Sequence, residues 1–189
     1  MTMSTPAIKA GMRLEGERIY LRPIIEGDAN ETYVGWLNDR EVNRHLESRF
    51  EPHTLEGLRF YIESIRHSSA NVFMAIVLKA SPRHIGNIKL GPIDYRHRIG
   101  DVGFIIGEKD CWGKGYVTEA IRLMTDYAFS GLNLHKVTAG CYATNSGSAR
   151  ALMKAGFVEE GRLKSHCLTR EGPYVDKICF GMINPRAAQ

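Results

Sequence analysis

Apolar and polar positions alternate through RIYLRPI (18–24), which predicts a strand. EGDANETYVGWLND followed by REVNRHLE reads as one or two short helices with Trp36 and Val42 turned inward. Leu55, Leu58 and Ile62 recur at helical spacing over 54–67, and Thr54 is placed to cap that helix. NVFMAIVLK (71–79) is short and rich in β-formers, so it is a strand. KASPRH is a turn, and HIGNIKLGPI (84–93) and DVGFIIGE (101–108) are further strands. Val117, Ala120, Ile121, Met124 and Ala128 form an apolar helical stripe stopped at Gly131. HKVTAGCY (135–142) is a strand with Val137, Ala139 and Cys141 on one face, and NSGSARALMKAGF is a short helix ended by Gly156. CLTREGPYVDKICFGMI (167–183) predicts a closing hairpin that turns at Glu171 to Pro173.

The order β-α-α-β-β-β-α-β-α-β-β belongs to a single mixed α/β domain. It spans 13–185, behind a loose tail at 1–12. A chain of 189 residues suits one core better than two. A net charge of +4 without a basic or aromatic stripe argues against a nucleic-acid partner. No apolar run is long enough to cross a membrane, and there is no signal-peptide core, so a cytoplasmic protein with no membrane partner is expected. Cys111, Cys141, Cys167 and Cys179 form no CxxC pair and the histidines no HExxH, so no metal is expected.

The chemistry concentrates in CWGKGYVTEA (111–120). Glycines between a strand and a helix allow a sharp turn with exposed backbone amides. The first N–H groups of a helix have no partner inside it, and the helix dipole makes that end partly positive. Such an end is an anion cradle that suits phosphate, and Lys114 adds a full charge. It is not a P-loop: five residues separate Gly107 from Gly113, and Gly115 rather than Ser or Thr follows the lysine. Nor is it a dinucleotide fingerprint, because Thr118 stands where the third glycine belongs. By shape alone, a ligand-free glycine turn remains equally open.

VGFIIGEKDCWGKGYVTEA together with NxxSxRALMKAGF, in this order and around an intervening strand, resembles the GNAT superfamily of acyl-CoA N-acyltransferases. Within it the likeness is to the Rim-type branch of ribosomal-protein N-terminal acetyltransferases, and it extends from RIYLRPI to YVDKICFGMI. The resemblance implies one GNAT-like α/β domain. Its mostly antiparallel central sheet should be splayed between two central strands and flanked by about four helices. It implies acetyl-CoA as acyl donor, with no metal. The pyrophosphate would lie on the loop at Trp112, Gly113, Lys114, Gly115, Tyr116, Val117 and Thr118. The pantetheine arm would lie along Phe104, Ile105 and Ile106, with Asn145 hydrogen-bonding near the gap. Asn145 is equally placed to cap its own helix.

The resemblance also implies direct transfer to a primary amine, which must lose a proton before it attacks. Ser148 matches a branch serine near the leaving sulfur, as hydrogen-bond donor or acid; capping within the helix's first turn is its other reading. The sequence departs from the family where Leu152 replaces a tyrosine acid and Gly140 a glutamate base. Asp101 and His166 are the remaining candidate bases, each with an ordinary surface role as the alternative. The segment that would roof the acceptor pocket offers Trp36, Asn38, Arg44 and His45. Its likeness to enzymes acting on nucleotide-linked amino sugars makes those acceptors one expectation, and a protein or peptide N-terminus the other. Homodimers are common in the branch, so a homodimer is a further expectation. The missing acid and base leave a catalytically silent acyl-CoA-binding or interaction module as the alternative function.

Overall fold

The computed structural model describes residues 11–170 and 172–186. Its strands are β1 Leu14–Glu15, β2 Ile19–Pro23, β3 Val72–Leu78, β4 His84–Asp94, β5 Ile99–Ile106, β6 Lys136–Tyr142, β7 Val158–Leu168 and β8 Tyr174–Ile183. Its α-helices are α1 Glu31–Asn38, α2 Leu55–Arg66, α3 Tyr116–Ser130 and α4 Ser146–Ala155. The strands form one sheet of eight in the order β1-β2-β3-β4-β5-β6-β8-β7. Every neighbouring pair is antiparallel except β5 and β6, which run parallel.

That parallel pair covers only Ile99↔Lys136, Gly100↔Val137 and Asp101↔Thr138. Beyond Asp101 the two strands part, as the resemblance implied. On one face of the sheet α3 and α4 close a core around Ile88, Leu90, Ile121, Met124, Leu152 and Phe180. On the other, α1 and α2 cover Phe73, Ala75 and Val77 with Trp36, Leu58 and Ile62. The predicted stripe of α3 is the buried one: Ala120, Ile121, Met124 and Ala128 are all inaccessible to solvent. Thr54 caps α2 by accepting the Gly57 N–H at 3.1 Å.

Two expectations need correction. REVNRHLE is not helical. Asp39 Oδ1 accepts the N–H groups of Glu41 and Val42, and Asn43 Nδ2 donates to the Leu37 carbonyl at 2.6 Å. These local bonds compete with a helix, and the segment folds as turns ending in a 3₁₀ turn at Glu47–Phe50. The final hairpin begins at Val158, not Cys167. β7 is an edge strand with only Cys167 buried, so it carries no period for a pattern to reveal. α3 ends at Ser130 with Gly131 as its C-cap, as expected, and a left-handed residue follows at Asn133, with φ 52°. Gly131 is there for space, since a Cβ would lie 2.6 Å from the Tyr127 ring. The expected tail lies outside the described residues up to residue 10, and so does Glu171 of the expected turn.

Glu119, on the first turn of α3, ties the helix to the sheet. Its Oε1 accepts the backbone N–H groups of Arg18 and Ile19 at 2.9 and 3.2 Å, and its Oε2 pairs with the Arg18 guanidinium at 3.1 Å. Burial opposes the charge, but those donors outweigh it and hold the carboxyl below its ordinary value. A depressed carboxyl contributes stability above its unfolded pKa and loses it as pH falls through the folded one. Glu119→Ala should therefore lower unfolding free energy at pH 7 by about 1–3 kcal/mol. In urea titrations the gap to wild type should narrow once pH drops below about 4.3, the ordinary glutamate pKa.

Candidate active site

Where β5 and β6 part, the sheet opens into a cavity of about 1170 Å³. One wall is the β5 backbone beyond Asp101, which has no strand partner on its β6 side. The opposite wall is Gly140 to Tyr142 of β6 with the first turns of α4. One end is closed by the glycine loop and the start of α3, the other by the segment before α2.

The loop has the cradle geometry. Gly113 and Gly115 sit at φ 72° and 83°, in the left-handed region that disfavours other residues. Gly115 is the N-cap of α3 and supplies no side-chain acceptor. The first intrahelical bond runs from Glu119 N to Gly115 O, so the amides of Tyr116, Val117 and Thr118 have no partner within the helix. Those three residues line the cavity, with Gly113, Gly115 and Trp112 beside them. The Trp112 indole N–H donates to the Ile106 carbonyl at 2.8 Å, pinning the loop to the end of β5. Lys114 does not line the cavity; its carbonyl accepts from Arg18 Nη1 at 2.8 Å. The same guanidinium lies 4.9 Å from the Tyr116 ring centroid. Cys111, beside the loop, is 3 % exposed, and burial raises its thiol pKa, so it packs rather than reacts.

Phe104, Ile105 and Ile106 line the cavity from β5, and Asn145 and Ser148 from α4. Asn145 acts as the N-cap of α4: its Oδ1 accepts the Ser148 N–H at 3.1 Å. The Ser148 hydroxyl makes no such cap, and among the described residues it has no hydrogen-bond partner. Asp101 stands at the apex of the split, its Oδ2 accepting from Thr138 Oγ1 at 2.8 Å. Its carboxylate is open to the cavity yet walled by protein, and this desolvation raises its pKa against the pull of Thr138, Lys177 and Lys89.

Other predicted residues fall elsewhere. His166 is exposed on the edge strand β7 and does not reach the cavity. Trp36 is buried away from it, its Nε1–H on Glu108 Oε1 at 2.9 Å and its ring so close to Gly107 that a Cβ there would lie 2.0 Å from Trp36 Cδ2. Asn38 brackets the backbone of His53 with bonds of 2.8 and 2.9 Å. Both are scaffold for the roof. Arg44 and His45 do line the cavity, the His45 ring edge-on to Tyr142 with centroids 5.7 Å apart.

The structure adds residues that the sequence reading missed. Lys89 and Asn87 line the cavity from β4 and Lys177 from β8; Glu47, an acidic residue of the segment expected to roof the acceptor pocket, lines it from above. Tyr142 donates its hydroxyl to Glu47 Oε1 at 2.7 Å and accepts from Arg49 Nη1 at 2.9 Å. Burial, with Glu47 as acceptor, raises Tyr142 to about 12, which makes it a poor proton donor. A signal existed for two of these residues: the alternation in NIKL (87–90) puts Asn87 and Lys89 on one face and Ile88 and Leu90 on the other. No described group of His, Cys, Asp and Glu is arranged to hold a metal, and no described helix is long and apolar enough to cross a membrane.

Known proteins share the fold and part of the sequence. An Acetyltransferase (GNAT) domain family model matches residues 18–158. The probable N-acetyltransferase YjcK of Bacillus subtilis is 32 % identical over 182 residues, 91 % of this chain and 97 % of its own. The crystal structure of spermidine N-acetyltransferase from Vibrio cholerae, in complex with CoA and spermine, superposes with a TM-score of 0.80 at 25 % identity, covering 91 % of this chain and 99 % of that one. Ribosomal-protein-S5-alanine acetyltransferase from Vibrio fischeri does so with a TM-score of 0.73 at 27 % identity, covering 92 % and 97 %. A parted parallel strand pair, a glycine cradle at the following helix and a matching family model across most of the sequence place this chain in the GNAT acetyltransferase family.

Proposed function

We propose that the protein transfers an acetyl group from acetyl-CoA to a primary amine in one direct step. The observation that carries this reading is the single cavity joining the amides at the start of α3 to Asp101 at the apex of the split. The residues fit the donor: three helix-start amides with two left-handed glycines suit a diphosphate, and the unpaired edge of β5 suits an extended amide chain. Acetyl-CoA supplies a thioester acyl group; the protein's part is to hold, orient and exchange protons.

Asp101 is the candidate base. It is the carboxylate nearest the apex of the split, and its raised pKa brings it toward the range where a base works. Ser148 lines the cavity with an unpartnered hydroxyl, placed to donate to the leaving sulfur. Asn145 uses one lone pair of its oxygen on the helix cap, and its amide nitrogen remains available to a ligand. These placements favour a working enzyme over a silent binding module. The likeness to the S5-alanine acetyltransferase supports a Rim-type placement and an N-terminal acceptor, whereas the likeness to the spermidine enzyme supports a polyamine. The nucleotide-linked amino sugar loses Trp36 as its stacking platform, since that ring is spent on Gly107 and Glu108.

Titration of acetyl-CoA into the purified protein tests the reading, with micromolar binding expected. Gly115→Glu forces a side chain to φ 83° and adds negative charge to the cradle; it should abolish that binding while circular dichroism stays native. Ser148→Ala should lower kcat about tenfold or more with acetyl-CoA affinity nearly unchanged. In wild type, kcat/KM should rise with pH along a limb above the ordinary carboxylate range, because Asp101 must be ionised to accept a proton. Asp101→Asn should remove that limb.

A further inference from the structure

The acceptor half of the cavity is lined by an unusual set of charges. Asn87 and Lys89 alternate on β4 and pair with Ile105 and Gly103 of β5, so they share the sheet face with Asp101. Lys177 pairs with Tyr142 across β6 and β8 and lays its stem over Gly140, where a Cβ would lie 2.5 Å from Lys177 Cε. Gly140 therefore gives Lys177 a path back toward the apex. Both lysines act electrostatically on Asp101, yet among the described residues neither forms an ion pair with a carboxylate.

Asn87 is only 1 % exposed, and its amide Nδ2 has no hydrogen-bond partner. Its other end is fixed. His84 Nε2 lies 2.9 Å from both the Gly86 carbonyl and Asn87 Oδ1, so that nitrogen carries a proton, which the two oxygens share. His84 itself is outside the cavity lining, held behind the sheet near the buried Arg22–Asp28 pair. With Oδ1 turned back to His84, Nδ2 is the end left for the cavity. An unmet buried donor is costly unless a ligand meets it.

Lys89 is too far along the sheet to serve the diphosphate of a CoA molecule on the cradle, while Asn87, opposite Ile105, lies on the same face nearer the end of β5. Gly103, opposite Lys89, is three residues and about 10 Å short of the end of β5, and the turn at Lys109–Cys111 separates that end from the glycine loop. The pantetheine chain that would lie between is uncharged. Two ammonium groups and one amide N–H around Asp101, with Glu47 of the roof already engaged by the Tyr142 hydroxyl, call for a ligand that brings both a cation and an anion. Building on the acetyltransferase reading, we propose that the acceptor is a small primary amine carrying its own anionic group, with its ammonium directed to Asp101 and its carboxylate or phosphate to Lys89, Lys177 and Asn87. A polycation such as spermidine would place a second positive charge against the two lysines.

The test is thiol release from saturating acetyl-CoA with matched acceptor pairs: amino acids against their amides, and amino-sugar phosphates against the free amino sugars, with spermidine alongside. The two pairs separate a carboxylate source from a phosphate source. At least one anionic member should exceed its neutral partner by about tenfold or more in kcat/KM, the scale of a charged hydrogen-bonded contact. Lys89→Gln with Lys177→Gln should erase that preference, chiefly through KM, while calorimetric acetyl-CoA affinity stays within about twofold of wild type. A preference that survives the double variant, better turnover of spermidine or neutral amines, or acetyl-CoA binding with no anionic amine acetylated would each overturn the acceptor assignment. Failure of the wild type to bind acetyl-CoA at all would instead overturn the acetyltransferase reading beneath it.

Discussion

The sheet loses a hydrogen-bonded ladder at one point, between β5 and β6 after Asp101↔Thr138, and the rest of the site depends on that parting. Unpaired backbone inside a sheet is unfavourable unless something else meets its polar groups. Here the two strands are held apart by what packs behind each of them. α3 presses on β4 and β5 through Ala120, Ile121 and Met124, while β6 is held by a full seven-residue ladder with β8. The gap is thus a product of two rigid halves rather than of loose chain, and a gap of that kind keeps its shape when empty.

The same rigidity places the proposed donor site. The start of α3 can serve an anion only if its first turn stays fixed while its amides stay unpartnered. Glu119 secures the turn by reaching sideways to Arg18 and Ile19, away from the amides of Tyr116, Val117 and Thr118. Arg18 then holds the Lys114 carbonyl and flanks Tyr116. A side-chain cap at Gly115 would have consumed the donors that the ligand needs. Glycine there meets the left-handed geometry and leaves those donors available.

This division explains which parts were legible in the sequence. The proposed donor end is local: a strand, a glycine loop and a helix follow one another within Phe104 to Ala120, so spacing marks it as a candidate cradle and the second motif at Asn145 tips it from a bare turn to a ligand site. The helices with one buried stripe were legible for the same reason. The proposed acceptor end is assembled from residues far apart in the chain, with Asn87, Asp101, Gly140 and Lys177 meeting only through strand register. Trp36 and Asn38 looked like ligand groups because a buried tryptophan stacking on Gly107 has the same sequence signature as one facing a pocket. His166 was a plausible base by residue type and failed by topology, on an edge strand with both faces exposed.

The roof of the acceptor end shows how such a pocket can be specific without a helix to build it. Between α1 and α2 the chain has little regular structure, yet Arg49 is 3 % exposed and bonds to the Leu46 carbonyl, the Tyr142 hydroxyl and the Leu168 carbonyl. Arg170 adds a bond to the Arg49 carbonyl at 2.6 Å. One buried guanidinium therefore staples the roof to β6 and to the β7–β8 hairpin, and fixes Glu47 at the cavity through the shared Tyr142 hydroxyl. A roof held by a few side-chain bonds can change its lining without disturbing the sheet beneath. The donor end has no such freedom, because its geometry is backbone. One fold can in this way carry different acceptor linings above the same kind of helix-start cradle.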